Sequence, residues 1–437
     1  MRPRFALSRW FSLLIISGCC IAQPVNAAEP TSEELNRHAD RCRELLGTSV
    51  IDFYLPGCVD QEHGGYLEEL DANGKFRARG EKFLTLQARQ MWFFSVMAEN
   101  EIRRDECLAA ARSGYEFLQQ HFYDADRGGY FSRVKDDGTP VDRRKHAYLN
   151  SFALYGLAAY SRAAKDDAAL QAARDLFAKL EEHAYDREHG GYQEFFYEDW
   201  RPITDPQESP YVGAIGTKTY NTHLHLLESF AELQRTDPDD LVARRLAELI
   251  EINTTTVQHP DVHCNIDGWS HDWTMIPTPQ NIRASYGHDV ECAWLVLDAG
   301  KTLDRSPDLL RQWAISLCGN SLEYGYDNEH GGFYYTGNPG LPSDDTKKEW
   351  WVQSEALVSM LDMYTLTGDE RYYQVFGETL EFVEKYQIAK EGGWWATRAA
   401  DGSATNNRSR TSMWQGAYHN GRALLLCSQR LKELAKR

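Results

Sequence analysis

Apolar and polar positions along this chain follow helical spacing over long stretches, and residues 129–180 show the pattern most clearly. From about Lys145 to Ala163 the bulky side chains recur on one helix face, and a second helical segment starts at Asp166. Before both, Gly129–Val134 has the character of a short strand, and residues 136–140 read Asp-Asp-Gly-Thr-Pro, which is typical of a turn. This stretch therefore predicts a small hairpin followed by two helices.

A short phrase of two glycines and an aromatic residue recurs along the chain. Its copies are Gly64-Gly65-Tyr66, Gly128-Gly129-Tyr130, Gly190-Gly191-Tyr192, Gly331-Gly332-Phe333 and Gly392-Gly393-Trp394. The intervals between copies are 64, 62, 141 and 61 residues, and the long interval spans two periods. We therefore expect a degenerate copy at Asp267-Gly268-Trp269, which makes six units of a repeat architecture.

Six units of this kind contain about twelve helices. We predict an all-α fold, an (α/α)6 barrel of six helix-pair repeats with short β-hairpins at the Gly-Gly markers. The first helix of each pair is expected to line the inside and the second to cover the outside. An open solenoid is the alternative, but no polar capping repeat is evident. Residues 29–437 then form one catalytic domain, although the length alone would suggest two or three.

The first 28 residues have the composition of an export signal. Arg2, Arg4 and Arg9 precede an apolar run that is too short for a membrane span, and Val25-Asn26-Ala27 offers small residues for cleavage. An alternative lies inside the run, where Ile16-Ser17-Gly18-Cys19 resembles a bacterial lipoprotein box that would leave a lipid on Cys19. Either outcome predicts a periplasmic protein, free or anchored at the periplasmic face.

Composition narrows the possible partners. A formal net charge of −18 disfavours nucleic acid, and no Gly-rich phosphate loop or dinucleotide fingerprint precedes a predicted helix. The chain has 12 Trp and 23 Tyr, residues that stack on sugar rings when they lie beside polar groups in a cleft. We therefore expect a small-molecule sugar as the partner, no cofactor and a monomer. The seven cysteines after the signal show no metal-ligand spacing, and the sequence assigns no disulfide.

Polar or aromatic side chains that are unusual for an inner helix follow the marker in each unit. In a closed ring, equivalent positions lie at one end of the barrel, so these side chains should face one pocket. The candidates are Arg89, Tyr148, Asn221, His225, His288, Glu291, Trp351, Glu355, Trp414 and His419.

The spacing of the histidines supports a shared face. His225 lies four residues after Asn221, and Glu291 lies three residues after His288, so each pair shares one side of a helix. A His–Glu pair of this kind is an oriented acid/base, part of a metal site, or a polar pair that caps a helix. His223 and His225 point in nearly opposite directions, and we expect His223 to be structural. No HExxH motif or cysteine cluster is present, so we predict no metal.

Four ordered motifs carry a family resemblance. They are Asn-Thr-His-Leu-His-Leu-Leu-Glu from Asn221, Ser-Tyr-Gly-His-Asp-Val-Glu from Ser285, Trp-Trp-Val-Gln-Ser-Glu-Ala from Trp350, and Tyr-His-Asn-Gly-Arg from Tyr418. Over about residues 35–430 the chain resembles the N-acylglucosamine 2-epimerase family, and more narrowly its cellobiose 2-epimerase (mannobiose 2-epimerase) branch. The segment Trp273–Arg283 does not match the nearest pattern, which leaves the exact substrate open.

The resemblance implies an (α/α)6 barrel and cofactor-free epimerisation or isomerisation of an aldose. It implies that His288 and His419 are the acid/base pair acting at C2 and that His225 is a third essential histidine. Arg89, Tyr148, Asn221, Glu291, Trp351, Glu355 and Trp414 are then expected around the sugar. Core packing is the alternative role for the two tryptophans.

Epimerisation at C2 suits histidines, because one group removes the C2 proton of the open-chain aldehyde and another returns a proton to the opposite face. With an ordinary pKa of about 6.5, histidine can do both near neutral pH. Proton return to C1 would instead give a ketose, so a monosaccharide 2-epimerase or an aldose–ketose isomerase is the alternative. A glycoside hydrolase that uses two of Glu228, Glu291 and Glu355 is a further alternative, as is a non-catalytic sugar-binding toroid.

Overall fold

A computed structural model describes residues 29–208 and 211–437 of the 437-residue chain. The predicted export signal and the alternative lipid anchor at Cys19 fall on residues 1–28, outside the described residues. Among the helices that are described, none combines the length and the apolar character needed to cross a bilayer.

Two layers of long helices form the described structure. The inner layer contains α3 (Leu84–Glu99), α5 (Ala147–Ala164), α7 (Tyr220–Thr236), α9 (Tyr286–Thr302), α11 (Trp350–Thr367) and α13 (Tyr418–Leu434). The outer layer contains α1 (Ser32–Leu45), α4 (Arg104–Phe117), α6 (Asp167–Lys179), α8 (Asp240–Glu251), α10 (Asp308–Tyr324) and α12 (Glu370–Phe382). A single turn, α2 (Asp52–Tyr54), follows α1.

The inner helices close into a ring. Each packs against the next in chain order, and α13 returns to contact α3. The first helix of each pair lies inside and the second outside, so the predicted (α/α)6 barrel is confirmed. The last unit departs from the prediction, since it has one helix only, and its outer position is filled by α1, which packs on α13.

Five of the outer helices widen into a π-helical segment before the chain turns toward the next marker. These segments are Leu46–Ile51, Leu118–Phe122, Leu180–Ala184, Ile252–Thr256 and Val383–Gln387. The outer helices bury one stripe of side chains, whereas the inner helices are buried on nearly all sides. In α5 every residue from Ala147 to Ser161 is buried.

Short antiparallel strands join neighbouring units at one rim of the barrel. The strands are β1 (Glu69–Leu70), β2 (Phe76–Arg77), β3 (Glu81–Phe83), β4 (Arg133–Lys135), β5 (Pro140–Asp142), β6 (Lys145–His146), β7 (Phe195–Phe196), β8 (Lys218–Thr219), β9 (Gly268–Trp269), β10 (Ala284–Ser285), β11 (Thr336–Gly337), β12 (Lys348–Glu349) and β13 (Thr397–Arg398). They form the sheets β1-β2, β3-β4-β5, β6-β7, β8-β9, β10-β11 and β12-β13. The strand before each of five inner helices pairs with the hairpin of the following unit, which places the starts of these helices at one rim.

The fourth residue of an inner helix explains why the marker needs glycine. Gln87 and Gln353 hold these positions in α3 and α11, and each side-chain amide bonds both backbone groups of the marker's aromatic residue. A Cβ on Gly65 would lie 2.6 Å from Gln87 Oε1, and the backbone there has a φ of +68°. Both features exclude ordinary side chains.

His223 holds the same fourth position in α7. The Tyr192 backbone N–H donates to His223 Nε2 at 2.9 Å, and Nδ1 lies 2.7 Å from the Thr219 carbonyl. Both ring nitrogens are therefore used in structural bonds, as predicted.

Three sequence-based boundaries need correction. The strand predicted at Gly129–Val134 is β4, three residues long from Arg133, because Tyr130 makes only an isolated bridge. The helix predicted from about Lys145 begins at Ala147, since Lys145 belongs to β6. The degenerate marker lies at Cys264-Asn265, where the Asn265 N–H donates to Asp289, the fourth residue of α9; Gly268 and Trp269 instead form β9.

A buried ion pair recurs at the rim, two residues before an inner helix. In each case the lysine Nζ donates to the aspartate that opens the marker loop. It also donates to a backbone carbonyl, which belongs either to a marker glycine or to the hairpin. The pairs are Lys82–Asp60 at 2.7 Å, Lys145–Asp124 at 2.6 Å, Lys218–Asp186 at 2.8 Å and Lys348–Asp327 at 2.8 Å. We call them the rim lysine pairs.

The seven cysteines of the described chain are all free and buried. The structure therefore forms no disulfide among them, although export would permit one.

Candidate active site

Three histidines lie in the first two turns of inner helices, at the rim where these helices begin. His225 is on α7, His288 on α9 and His419 on α13. His225 and His419 are buried, with 2% and 6% exposure, whereas His288 is half-buried. The ring closure described above brings these distant segments to one end of the barrel.

Arg422, one turn after His419, links the acidic groups of the site. One guanidinium nitrogen donates to Glu228 and to the Tyr418 hydroxyl. The other donates to Glu291 Oε1 at 2.9 Å and to Glu355 Oε1 at 2.8 Å. All three carboxylates are buried, so a buried positive charge holds three helices together beneath the histidines.

Each histidine is oriented through Nδ1. His225 Nδ1 lies 2.9 Å from Glu228 Oε2, His419 Nδ1 lies 2.6 Å from Glu355 Oε1, and His288 Nδ1 lies 2.9 Å from the Ser285 hydroxyl. No described residue hydrogen-bonds the Nε2 atom of any of the three. Because an ionised carboxylate only accepts, His225 and His419 carry the proton on Nδ1 and present a basic Nε2.

Burial lowers the pKa of the histidines. It lowers the pKa of His288 to about 3, with the His225 and Arg89 charges adding to the effect. Burial and the Arg89 and Arg422 charges also hold the pKa of His419 well below its usual range. We expected an ordinary histidine pKa; that expectation is wrong, and both rings are neutral at neutral pH.

Glu228 and Glu291 have net pKa shifts in opposite directions, although the shared arginine lowers the pKa of both. Although burial alone would raise it, the Arg422 charge and the His225 bond lower the pKa of Glu228 to about 2. Burial and the neighbouring Glu355 raise the pKa of Glu291 well above its usual range. Burial and Glu355 therefore favour the protonated form of Glu291, whereas Glu228 is ionised at neutral pH.

Trp351 lies close to two of the histidines. Its ring centroid is 4.6 Å from that of His288 and 5.8 Å from that of His419. The ring is partly exposed, as a surface that stacks on a sugar requires.

Arg89, Tyr148 and Trp414 form a second group beside His225. Arg89 donates to the Tyr148 hydroxyl at 3.0 Å and to the Trp414 carbonyl at 2.8 Å. The Tyr148 ring lies 5.2 Å from His225 and 6.2 Å from Trp414. Trp414 is not on an inner helix but in the segment just before α13, and its ring is partly exposed.

Asn221 is the predicted residue least connected to this group. Its backbone N–H donates to Asp267 at 3.0 Å, and its side-chain oxygen has no hydrogen-bond partner among the described residues. The structure thus brings nine of the ten candidates into one network of contacts and leaves Asn221 at its edge.

Glu291, Glu355 and His419 place ligand-type atoms within 4.8 Å of one another, as a metal site would. The carboxylate oxygens concerned already accept hydrogen bonds from Arg422. A metal ion there would have to displace a buried guanidinium, so the donor set fits an arginine better than a cation.

Sequence reasoning assigned no role to Arg422 and Tyr418; Glu228 falls on the helix face of Asn221 and His225, but the one role it was given was as a candidate for hydrolysis. Arg422 could have been found, because an arginine that precedes the apolar run Ala423–Leu426 on an inner helix needs buried partners. Which carboxylates those partners are depends on contacts across the ring, which local spacing does not contain.

Comparison with known proteins identifies the family. The sequence model of the N-acylglucosamine 2-epimerase (GlcNAc 2-epimerase) family matches residues 65–423. A cellobiose 2-epimerase of Bacteroides fragilis is 30% identical over 391 residues, covering 89% of this chain and 97% of the relative.

Solved structures of cellobiose 2-epimerases match this chain as well. The cellobiose 2-epimerase of Spirochaeta thermophila superposes with a TM-score of 0.83 at 30% identity, covering 92% of this chain and 98% of that one. The cellobiose 2-epimerase of Bacillus thermoamylovorans superposes with a TM-score of 0.82 at 29% identity, covering 90% and 100%. The chain belongs to the N-acylglucosamine 2-epimerase family of carbohydrate epimerases and isomerases.

Proposed function

We propose that the protein epimerises C2 of the reducing-end glucose or mannose of a β-1,4-linked disaccharide, without a cofactor. The observation that carries the proposal is the pair of histidines, His288 and His419, whose rings lie 4.6 and 5.8 Å from that of Trp351 and whose Nε2 atoms have no hydrogen-bond partner among the described residues. The names of the relatives, which are cellobiose 2-epimerases, support the disaccharide as substrate.

The chemistry begins after the sugar ring has opened, because only the free aldehyde acidifies the C2 proton. His419, with its Nδ1–H held by Glu355, presents a basic Nε2 that can take this proton. While the enediolate carries its negative charge, His288 takes a proton from water, with its Nδ1 bonded to the Ser285 hydroxyl, and the imidazolium returns a proton from Nε2 to the other face; His419 then releases the C2 proton to solvent. In the reverse direction the two histidines exchange roles.

Negative charge on the enediolate oxygen needs stabilisation. Arg89 and the Tyr148 hydroxyl, which are bonded to each other, supply a positive charge and a donor in the same pocket. Trp351 and Trp414 offer partly exposed rings on which a sugar can stack.

The hydrolase alternative loses support from the carboxylates. Hydrolysis requires two carboxyl groups that flank the bond to be broken, with room for water in inverting enzymes. Glu228, Glu291 and Glu355 instead converge on the single guanidinium of Arg422. Two of them, Glu228 and Glu355, also orient His225 and His419.

The direct test incubates the protein with cellobiose and with mannobiose in D2O and follows the products by NMR. The proposal expects the C2 epimer with deuterium at C2. Shortened chains would indicate a hydrolase, unchanged sugar a binding protein, and a ketose as the main product an isomerase. Epimer that carries no solvent deuterium would contradict proton exchange through the histidines. Mannose, glucose and N-acetylglucosamine in parallel test the monosaccharide alternative.

We also propose that the mature protein acts after export, in the periplasm. The composition of residues 1–28 supports this location, which suits an enzyme that meets products of polysaccharide breakdown. Intact mass measurement of the protein from its native cells tests the proposal. Cleavage near Ala27 or a lipid on Cys19 supports export, whereas an intact N-terminus contradicts it.

A further inference from the structure

A second cavity, of about 290 Å³, lies at the opposite end of the barrel from the histidines. Its walls are formed largely by the later turns of α3, α5, α7, α9 and α13. We call it the rear chamber. The residues that the argument uses from its lining are Trp92, Glu228, Trp294, Arg422 and Arg430.

The rear chamber and the active site share a wall. Glu228 and Arg422 line the chamber, and the same two residues belong to the network that orients His225 and His419. The chamber is therefore separate from the histidines but is joined to them through one buried ion pair.

Three N–H donors of the lining have no acceptor. Trp92 Nε1, Arg422 Nε and an Arg430 terminal nitrogen are all shielded from solvent and have no hydrogen-bond partner among the described residues. Trp92 and Arg422 are only 5% and 2% exposed. Buried donors in folded proteins are nearly always paired, so three in one cavity call for an explanation.

The three donors belong to one cluster of rings. The guanidinium carbons of Arg422 and Arg430 lie 4.7 and 5.7 Å from the centroid of the same Trp294 ring. The Trp92 ring and the Arg422 guanidinium both pack on Tyr418, at 5.5 and 4.2 Å.

Unlike these donors, the carboxylates that line the chamber are all paired, because each accepts a hydrogen bond from an arginine. Arg162 donates to Glu99 and Glu232, Arg235 to Glu232 and Asp298, and Arg422 to Glu228. The lining holds four arginines and four carboxylates, which balance in charge. The choice of ligand by the rear chamber therefore depends on its unpaired groups, and these groups are all hydrogen-bond donors.

From this we infer that the rear chamber binds a small monovalent anion of halide size, held by Trp92 Nε1–H, Arg422 Nε–H and the Arg430 guanidinium. A ligand that only accepts hydrogen bonds complements a set of groups that only donate. A neutral polyol would bring hydroxyl donors for which no unpaired acceptor remains. Among halides, a large ion such as bromide gives up less hydration free energy than fluoride on entering the chamber.

The first test is diffraction from crystals of the full mature chain soaked in sodium bromide. An anomalous bromine peak within hydrogen-bond distance of Trp92 Nε1 and Arg422 Nε is expected. Ordered water at these donors, with no bromine there, would overturn the proposal.

The second test measures halide binding by thermal stabilisation, at constant ionic strength, with sodium bromide replacing sodium glutamate. Trp92→Phe keeps a ring but removes the donor, and it should raise the half-saturating bromide concentration by about tenfold, because a hydrogen bond to a charged group is worth a factor of this size. Trp313→Phe is the matched control: its Nε1 is also buried and unpartnered among the described residues, but it lies outside the chamber. An equal response of both variants would contradict the site. If Trp92→Phe does not fold, Arg430→Lys replaces it, with the same expected weakening.

Discussion

At the scale of single residues, the partner of each Nδ1 atom distinguishes the histidines. Glu355 and Glu228 are carboxylates and hold His419 and His225 with the proton on Nδ1. Ser285 imposes no such choice on His288. A base of fixed tautomer opposite a histidine that can change its tautomer is the arrangement that two-face proton transfer needs.

We predict that His288→Asn and His419→Asn each lower kcat by at least about 100-fold, because a positioned acid or base contributes this much or more. Steady-state kinetics on the disaccharide checks the rate, and far-UV circular dichroism checks folding. The double variant should lose far less than the product of the two factors, since the histidines act on one proton transfer. Near-normal activity of either single variant would remove that residue from the pair and leave His225 in its place.

His223→Gln is the matched control for these substitutions. It changes a buried histidine two positions from His225, yet Gln holds the equivalent position in α3 and α11 and makes the same marker bonds there. We expect kcat per folded molecule within about twofold of the parent value, because His223 makes structural bonds only.

The pH dependence follows from the lowered histidine pKa. Neutral histidine is the base, and burial moves its pKa below the ordinary 6.5 in both His288 and His419. The base form therefore persists as the pH falls through 6.5 and is lost only at more acidic pH. The acid limb of kcat/KM, measured between about pH 4 and 8, should have its midpoint below 6.5. Circular dichroism in the same buffers separates protonation from unfolding, and a midpoint at or above 6.5 in folded protein would contradict the assignment.

The sequence predicted these side chains better than it predicted their chemistry. Ring closure alone places His225, His288 and His419 at one rim, so residue type and repeat position were enough to find them. Their pKa values depend on burial and, for His225 and His419, also on Arg422, whose three carboxylates come from three other helices. Neither factor is visible in local spacing.

At the scale of elements, the rim lysine pairs join each marker loop to an inner helix. Asp327 accepts from the Glu329 and His330 backbone through one oxygen and from Lys348 through the other. Lys348 Nζ also donates to the Ala400 carbonyl in the next unit's hairpin. One ammonium group therefore ties together a loop, a helix start and the neighbouring unit.

The sequence showed one partner of the rim lysine pairs, the aspartate, but did not connect it to the lysine. The tetrapeptide Asp-x-Glu-His directly precedes three of the Gly-Gly markers. The lysine two residues before each following inner helix could not be paired with it from the sequence. The two partners lie 21 residues apart for Lys348 and Asp327, beyond the reach of helical or strand periodicity.

We predict that Lys348→Met lowers the free energy of unfolding by about 3–5 kcal/mol, because it leaves Asp327 as an uncompensated buried charge. Urea denaturation checks the value. The control is Lys179→Met, which removes an ion pair to Glu182 of similar length, 2.7 Å, on the surface of α6. That change should cost less than about 1 kcal/mol. Equal losses in the two variants would show that burial does not strengthen the rim pair.

At the scale of the whole molecule, the first and last described helices, α1 and α13, pack against each other. The last unit supplies only α13, and α1 covers it from outside. The marker period predicted the number of units, but it did not predict that α1, which precedes the first marker, completes the sixth. Only the three-dimensional closure assigns that role, because α1 carries no marker of its own.

This closure makes the active site depend on a helix that contributes nothing to it. Ala39 lies on the buried face of α1, fully shielded, and packs in the core shared with α13, which carries His419 and Arg422. We predict that Ala39→Asp lowers the unfolding temperature by about 3–6 °C, because an unpaired carboxylate forced into an apolar interface costs several kcal/mol and a chain of this length has a large unfolding entropy. Activity per total protein should fall with it. Arg37→Asp introduces the same residue on the exposed side of α1, where Arg37 is 67% exposed, and should leave both stability and activity nearly unchanged. Differential scanning calorimetry and kinetics on both variants decide the matter. If Ala39→Asp keeps its stability and full turnover, the barrel does not need α1 to hold α13, and the two-ended closure is not what positions His419.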